Sequence, residues 1–284
     1  MGKKNRKSGA PKRARVAYVD RPFEGLTGEA DLVAMRELLP AASAKARTNA
    51  EYGSQDVLFV TVLPNMAPAL RRNDGLLLIG MQTQAKSGDV SRDYAAAIEA
   101  GLELEPGNLV GTLGLLEPGA RLQDILDPEV TIAAELHQDF SFWLEDDAER
   151  TEDLNQALEE SAQGMVPSER VDGVEGAFWC SMNHEFVRWV YPGDEDALWD
   201  ALARLQAEGK CNLGEGSRFV GAFRSYGVLV PVWELADNTG AQGVAKPLAE
   251  LSKRLEAALQ DDSPLSADAR RARAGMVSRQ VTLR

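Results

Sequence analysis

The sequence predicts an α+β fold with two similar-sized lobes, each in helix-strand-strand-helix order, flanked by disordered basic tails. Apolar residues recur at helical spacing in several segments, and other segments alternate or run continuously as strands do. Helix, strand, strand and helix follow one another in residues 29–104 and again in 194–260. This order suggests a duplication. Alternating helices and hairpins are also common in unrelated α+β folds, and residue identity between the halves is negligible.

Five helices are predicted from apolar stripes and from residues that favour helix ends. They are expected at residues 29–39, 91–104, about 151–162, 194–208 and 247–260. Pro247 is expected to open the last helix, because proline is favoured in a first turn.

Strands are predicted at residues 57–63, 76–81 and 130–142, the last with one wet face because apolar and polar residues alternate along it. Residues 219–223 and 228–233 flank Ser225-Tyr226-Gly227 and predict a hairpin. Phe219, Phe223 and Trp233 are expected to pack together on the helix over 194–208.

The predicted domain organisation has four parts. Residues 1–15 form a disordered basic arm, 16–147 an N-terminal α+β lobe, 148–262 an aromatic-rich C-terminal α+β lobe and 263–284 a basic tail with a short helical segment. The acidic run at 145–147 marks the boundary between the lobes.

Charge is distributed very unevenly along the chain. Residues 1–15 carry seven cations and no acid. The whole chain has a formal net charge of −13, so residues 16–284 carry −20. Such an arm attracts polyanions, whereas the body repels them. The predicted polyanion-binding residues are Lys3, Lys4, Arg6, Lys7, Lys12, Arg13 and Arg15.

Aromatic residues are concentrated in the second lobe, with ten of the chain's eighteen within residues 178–233. Core packing explains this density most simply. The alternative is a recessed partner-binding surface near Trp179, Trp189 and Trp233.

Composition and motifs exclude several classes of function. No apolar run approaches the length of a membrane span, and no signal peptide is recognised, so a cytoplasmic location without membrane contact is expected. Cys180 and Cys211 are expected to be free thiols, with Cys180 buried and inert because it alternates with Phe178 and Met182. No metal site, cofactor or catalytic residue is predicted.

Three segments carry a resemblance to a known family: residues 21–26, 178–186 and 213–221. They resemble an uncharacterised actinobacterial family of unknown function, and the likeness extends over most of residues 16–262. Its members are sometimes labelled preprotein translocase SecA-like. That label would imply a Gly-x-x-x-x-Gly-Lys-Ser/Thr phosphate loop and a cysteine-rich zinc tail, and this sequence has neither.

These observations together favour a non-catalytic cytoplasmic interaction protein. It would associate with RNA, ribosomes or another polyanion through its N-terminal arm. One alternative is a protein-binding adaptor that uses the aromatic-rich lobe. A further alternative is an enzyme, which would reveal itself by a concave pocket with converging titratable groups.

Overall fold

The computed structural model describes residues 14–83, 87–145, 148–278 and 281–282. They form an α+β fold with two mixed sheets, so the predicted fold class is confirmed. The helices are α1 (Glu29–Glu37), α2 (Val90–Leu102), α3 (Leu122–Ile125), α4 (Glu152–Ala162), α5 (Glu195–Ala207), α6 (Gly240–Leu259) and α7 (Ala267–Val277).

The first sheet has the order β5-β3-β4-β2-β1-β6, in which only β2 and β4 run parallel. Its strands are β1 (Ala42–Arg47), β2 (Asp56–Val60), β3 (Ala69–Arg71), β4 (Leu77–Gly80), β5 (Leu109–Val110) and β6 (Ala134–Leu136).

The second sheet has the order β12-β10-β11-β9-β8-β7 and is antiparallel except between β10 and β12. Its strands are β7 (Ser168–Arg170), β8 (Ala177–Ser181), β9 (Glu185–Trp189), β10 (Arg218–Ser225), β11 (Val228–Glu234) and β12 (Val281–Thr282).

The similar element order of the two halves does not extend to strand direction. β2 and β4 are parallel, whereas β10 and β11, the corresponding pair, form an antiparallel hairpin. The reason is β3, a three-residue strand that carries the chain back across the sheet before β4 begins. A return strand this short has too few residues to show a period in the sequence.

Helix α1 lies between the two sheets and is the centre of the shared core. Its apolar residues belong to one cluster with the inner face of the first sheet and with Phe178, Val190, Val228 and Val230 of the second lobe. The opposite face of the second sheet packs on α5 and α6. The outer face of the first sheet is covered by α4 through Leu158, although α4 lies beyond the boundary predicted at residue 147.

A register shift in β10 separates two aromatic residues that were predicted to share a face. The pairing with β11 slips between Phe219 and Gly221. A bulge of one residue sends every later side chain to the other face of the sheet. Phe219 therefore packs beside Trp233 on the α5 side, as predicted, whereas Phe223 packs into the central core beside α1. The prediction that Phe223 packs on α5 is wrong.

The strand predicted over 130–142 is much shorter in the structure. Only Ala134–Leu136 pair with β1, and the chain then turns so that Phe140 and Phe142 cover the outer face of the first sheet. The Asp139 carboxylate accepts the N–H of Ser141 at 2.8 Å and so starts a short 3-10 turn. Alternation of apolar residues here reflects this covering segment and not a long strand.

The C-terminal region is more ordered than the predicted disordered tail. Residues 267–277 form α7, which packs on α5 with Ala269 and Met276 buried. Arg273 forms ion pairs of 2.6 Å with both Asp196 and Asp200. The basic segment is thus held by the acids of α5. Helix α6 also begins earlier than predicted, at Gly240, because the buried Val244 extends its apolar stripe by one turn.

Candidate functional site

The two lobes enclose a cleft of about 480 Å³. Its walls are the N-terminal strap (residues 14–22), the last turn of α1, the first turn of α2 and the turn between β10 and β11. Arg21 fastens the strap to both lobes, because it forms an ion pair with Glu29 of α1 at 2.6 Å and donates to the carbonyl oxygen of Pro192. The segment that leads to the basic arm is therefore part of the cleft.

Arg36 lines this cleft without a carboxylate at ion-pair distance among the described residues. Its Nε donates to the hydroxyl of Tyr226 at 2.9 Å, and its Nη1 donates to the carbonyl oxygen of Met81. The buried hydroxyl of Tyr94 is a further hydrogen-bond partner of the Arg36 guanidinium. Arg36 lies in the last turn of α1, where the helix dipole favours a cation. Glu37 is exposed and acts on Arg36 through space.

Asp93, in the first turn of α2, is a buried carboxylate that is also among the residues lining the cleft. The N–H of Ser87 donates to its two oxygens at 3.2 and 3.3 Å. Burial raises the pKa of Asp93, and the Ser87 hydrogen bonds and the charge of Arg36 oppose that rise only partly. A carboxylate can accept about four hydrogen bonds, so Asp93 retains unused acceptor capacity.

Two residues of the cleft wall have left-handed backbone conformations, although neither is glycine. Met66 has φ of 54° and Tyr226 has φ of 46°. Tyr226 and Gly227 form the two-residue turn of the β10–β11 hairpin, a position where asparagine, aspartate or glycine is usual. Such strain persists only where the surroundings hold it, and it is frequent at binding sites. Here the Tyr226 hydroxyl accepts the hydrogen bond from Arg36.

The other charged residues that line the cleft are Asp20, Glu37 and Arg224. Arg224 forms an ion pair with Glu195 at 2.6 Å, and Asp20 adds a further negative charge near it. Arg36 and Asp93 are the more deeply buried charges of the cleft, and among the described residues neither has an oppositely charged partner at ion-pair distance.

A second cavity, of about 890 Å³, lies on the outer face of the first sheet. Ser43 Oγ and His137 Nε2 are 2.8 Å apart there. Within the described residues no carboxylate hydrogen-bonds the other imidazole nitrogen. The cations that line this cavity include Arg47 and Arg72, which pair with Asp56 and Asp74. Lys45, Glu145 and Arg150 line this cavity as well.

The predicted polyanion-binding residues fall almost entirely outside the described part of the chain. Of the seven, Lys3, Lys4, Arg6, Lys7, Lys12 and Arg13 lie outside the described residues, and Arg15 is exposed at the start of the strap. The structure therefore shows only where the arm joins the body, beside the cleft.

The three tryptophans of the predicted partner surface differ in how deeply they are buried. Trp233 and Trp189 are 0% and 5% exposed and belong to the core on the α5 side of the second sheet. Interior side chains of this kind cannot contact a partner unless the lobe opens. Trp179 is half-buried, and its Nε1 donates to Glu185 at 2.9 Å. The three tryptophans thus do not form one accessible surface.

Both cysteines are free and buried in the structure, as predicted. Burial raises the pKa of Cys180 and raises that of Cys211 to about 12. We expect neither thiol to react with N-ethylmaleimide at pH 8 while the protein is folded, because the thiolate is the reactive species. Mass spectrometry before and after denaturation in urea measures this. Modification of native Cys180 as fast as in urea would contradict the expectation.

No group of three or more histidine, cysteine, aspartate or glutamate side chains in the described ranges is placed to hold a metal ion. Similarly, none of the described helices is both long and apolar enough to cross a membrane.

Comparison with known proteins gives one match, to the model of a family of unknown function, DUF5926, over residues 22–284. The chain belongs to this family. No curated protein and no solved structure matches it. The region shared with DUF5926 includes Arg36, Asp93 and Tyr226, whereas residues 1–15 precede it. Most residues that line the cleft thus lie in the matched region, and residues 1–15 lie outside it.

Sequence reasoning missed the cleft residues, although one signal was present. Arg36 follows Leu32 by four residues and precedes Leu39 by three, so it interrupts the apolar stripe of its helix. A cation on a buried apolar stripe needs a hydrogen-bond partner. Arg36 donates to the hydroxyl of Tyr226, which lies far away in the sequence, in the β10–β11 hairpin. Asp93 gives no comparable signal, because its burial depends on how α2 packs.

Proposed function

We propose that this chain is a non-catalytic interaction protein that associates with RNA, ribosomes or another polyanion through residues 1–15. The observation that carries the proposal is the segregation of charge: seven cations in the arm against −20 on the rest of the chain. Because the body repels a polyanion, the arm is the segment that can hold one. A cytoplasmic location fits such a role.

The arrangement of cations in the body supports this role for the arm. Many body arginines are committed to acids of the protein itself, among them Arg121 with Asp89, Arg170 with Asp31 and Arg273 with two acids of α5. A polyanion would have to break these pairs to bind there. Arg15, in contrast, is exposed at the root of the arm.

Deletion of residues 1–15 is expected to abolish binding to a single-stranded RNA oligonucleotide. For the intact protein the logarithm of the affinity should fall with the logarithm of salt concentration, with a slope of up to about −5, because up to seven contacted phosphates release counterions. Fluorescence anisotropy over a salt series measures both quantities.

A matched control keeps the arm's length and charge but scrambles its order. It should bind like the natural arm, because the arm has no aromatic residue for stacking on bases. A variant with all seven cations replaced by glutamine should behave like the deletion. Equal binding by intact and truncated protein at low salt would contradict the proposal.

The adaptor, the role at a pocket and the SecA-like motor differ in what supports them. A protein-binding adaptor that uses the aromatic-rich lobe would have Trp179 at its surface, whereas Trp189 and Trp233 are in the core. A role at a pocket gains support from the cleft, where titratable groups converge between the lobes. A SecA-like motor role gains none, since the sequence contains no phosphate-binding loop of that kind.

A further inference from the structure

The cleft between the lobes presents two opposite charges that the protein does not pair with each other. Arg36 and Asp93 line it together and influence each other electrostatically, but they are not within ion-pair distance. The guanidinium has neutral hydrogen-bond partners, and the carboxylate has only Ser87 among the described residues. Burying charges with so few partners costs free energy that a ligand can recover.

The signs of the charges restrict the ligand. A simple anion could pair with Arg36 but would be repelled by Asp93, and by Glu37 and Asp20 nearer the opening. A simple cation could pair with Asp93 but would leave Arg36 without an anion. A ligand that carries both charges close together satisfies both groups.

The rest of the wall indicates the uncharged part of the ligand. Val19, Met66 and Val90 line the cleft together with the rings of Tyr18 and Tyr226. Tyr18 is 70% and Met66 42% exposed, so the wall includes exposed apolar side chains. At about 480 Å³, the volume is within the range of small-molecule sites, roughly 300–1,000 Å³.

We infer that the cleft binds an apolar amino acid, or a short peptide of such residues, as a zwitterion. Its carboxylate pairs with the Arg36 guanidinium, its ammonium group donates to Asp93, and its side chain lies against Met66 and the tyrosine rings. Tyr226 positions the guanidinium through the hydrogen bond to Nε. This site is independent of the basic arm and of its proposed polyanion.

Isothermal titration with modified forms of one amino acid tests the inference. We expect L-leucine, L-phenylalanine or leucyl-leucine to bind the full-length protein. L-leucinamide lacks the carboxylate and N-acetyl-L-leucine lacks the ammonium group, so each should bind at least about tenfold more weakly than leucine, as expected for loss of a charge-assisted hydrogen bond.

Two variants assign the contacts. Arg36→Gln should weaken leucine binding by about tenfold or more and should no longer distinguish leucine from leucinamide. Asp93→Asn should likewise no longer distinguish leucine from N-acetyl-leucine. Loss of the fold would weaken the binding of every ligand. Loss of one contact would leave unchanged the binding of the ligand that lacks the corresponding charged group. Arg47→Gln and Asp56→Asn, which alter an exposed ion pair outside the cleft, serve as controls and should bind leucine normally.

Two results would overturn the inference. If leucinamide or N-acetyl-leucine binds wild-type protein as tightly as leucine, the cleft does not recognise a zwitterion. If neither free amino acid nor the dipeptide binds at millimolar concentration, the cleft is not a site for this class of ligand. Neither result affects the polyanion proposal, because RNA binding is measured on the arm.

Discussion

Replacing Asp31 with alanine is expected to lower the free energy of unfolding by about 3 kcal/mol, the lower end of the range for a buried ion pair, because Asp31 is buried but Arg170 is 30% exposed. Asp31 is almost fully buried in α1, and its oxygens accept from the two terminal nitrogens of Arg170 at 3.1 and 2.7 Å. It also accepts the backbone N–H of Ala134 at 2.8 Å. Without Asp31, a cation of the second lobe and an edge N–H of the first sheet both lose their partner.

This side chain joins the two lobes at the edges of their sheets. Arg170 belongs to β7 and donates in turn to the carbonyl oxygen of Ala134 in β6. Asp31 and Arg170 together therefore satisfy both backbone groups of Ala134, as a neighbouring strand would, and so protect the edge of the first sheet. Arg170→Ala should be destabilising as well, and the double variant should cost less than the sum of the two single changes.

Asp56→Ala is the matched control, because Asp56 pairs with Arg47 at 2.9 Å but both side chains are largely exposed. Its expected cost is below about 1 kcal/mol, since water and salt screen an exposed pair. Urea unfolding monitored by tryptophan fluorescence measures both variants. Equal small losses for Asp31→Ala and Asp56→Ala would show that the contact between α1, β6 and β7 does not stabilise the fold.

The longer helices could be predicted from the sequence because their signals are local. Helix α5 was expected at residues 194–208 and spans Glu195–Ala207. Asp194 precedes it, and its carboxylate accepts the N–H of Ala197 at 2.8 Å. The leucine stripe of this helix and Gly209, which follows the helix with φ of 69°, lie within one short stretch of sequence. Such elements need no information from elsewhere in the chain.

The short strands could not be predicted, because pairing and not composition makes them strands. Residues 42–47 read Ala-Ser-Ala-Lys-Ala-Arg, a composition that favours a helix. They nevertheless form β1, because β2 and β6 pair with them on either side. The bulge in β10 is equally non-local, since the two flanking aromatic residues look alike in the sequence but face different cores.

The candidate site illustrates the same limit. The charge of the arm is visible in the sequence, but the cleft exists only once α1, α2 and the β10–β11 turn have come together. Sequence separation between Arg36 and Tyr226 is 190 residues, so no spacing rule would connect them. Burial of the tryptophans, by contrast, followed from their density in one lobe, for which core packing was the simpler interpretation.

Truncation of Trp233 to alanine is expected to cost about 3–5 kcal/mol, the range for removing a large buried aromatic side chain. Trp233 is completely buried, and its ring centroid lies 5.2 Å from that of Phe219 and 6.4 Å from that of Trp189. Its Nε1 donates to the carbonyl oxygen of Cys211 at 2.7 Å. Alanine would therefore leave a cavity behind α5 and α6 and a buried carbonyl without its donor.

Two further variants separate packing from hydrogen bonding and core from surface. Trp233→Phe retains an aromatic ring but removes the donor, so it should cost less than the alanine variant while still exceeding about 1 kcal/mol. Trp179→Ala removes a tryptophan that is only half-buried and should lower the melting temperature less than Trp233→Ala does. Thermal unfolding by circular dichroism measures all three. If Trp233→Ala melted like wild type, the ring would not be part of the core, and the second lobe would regain a partner-binding surface at this tryptophan.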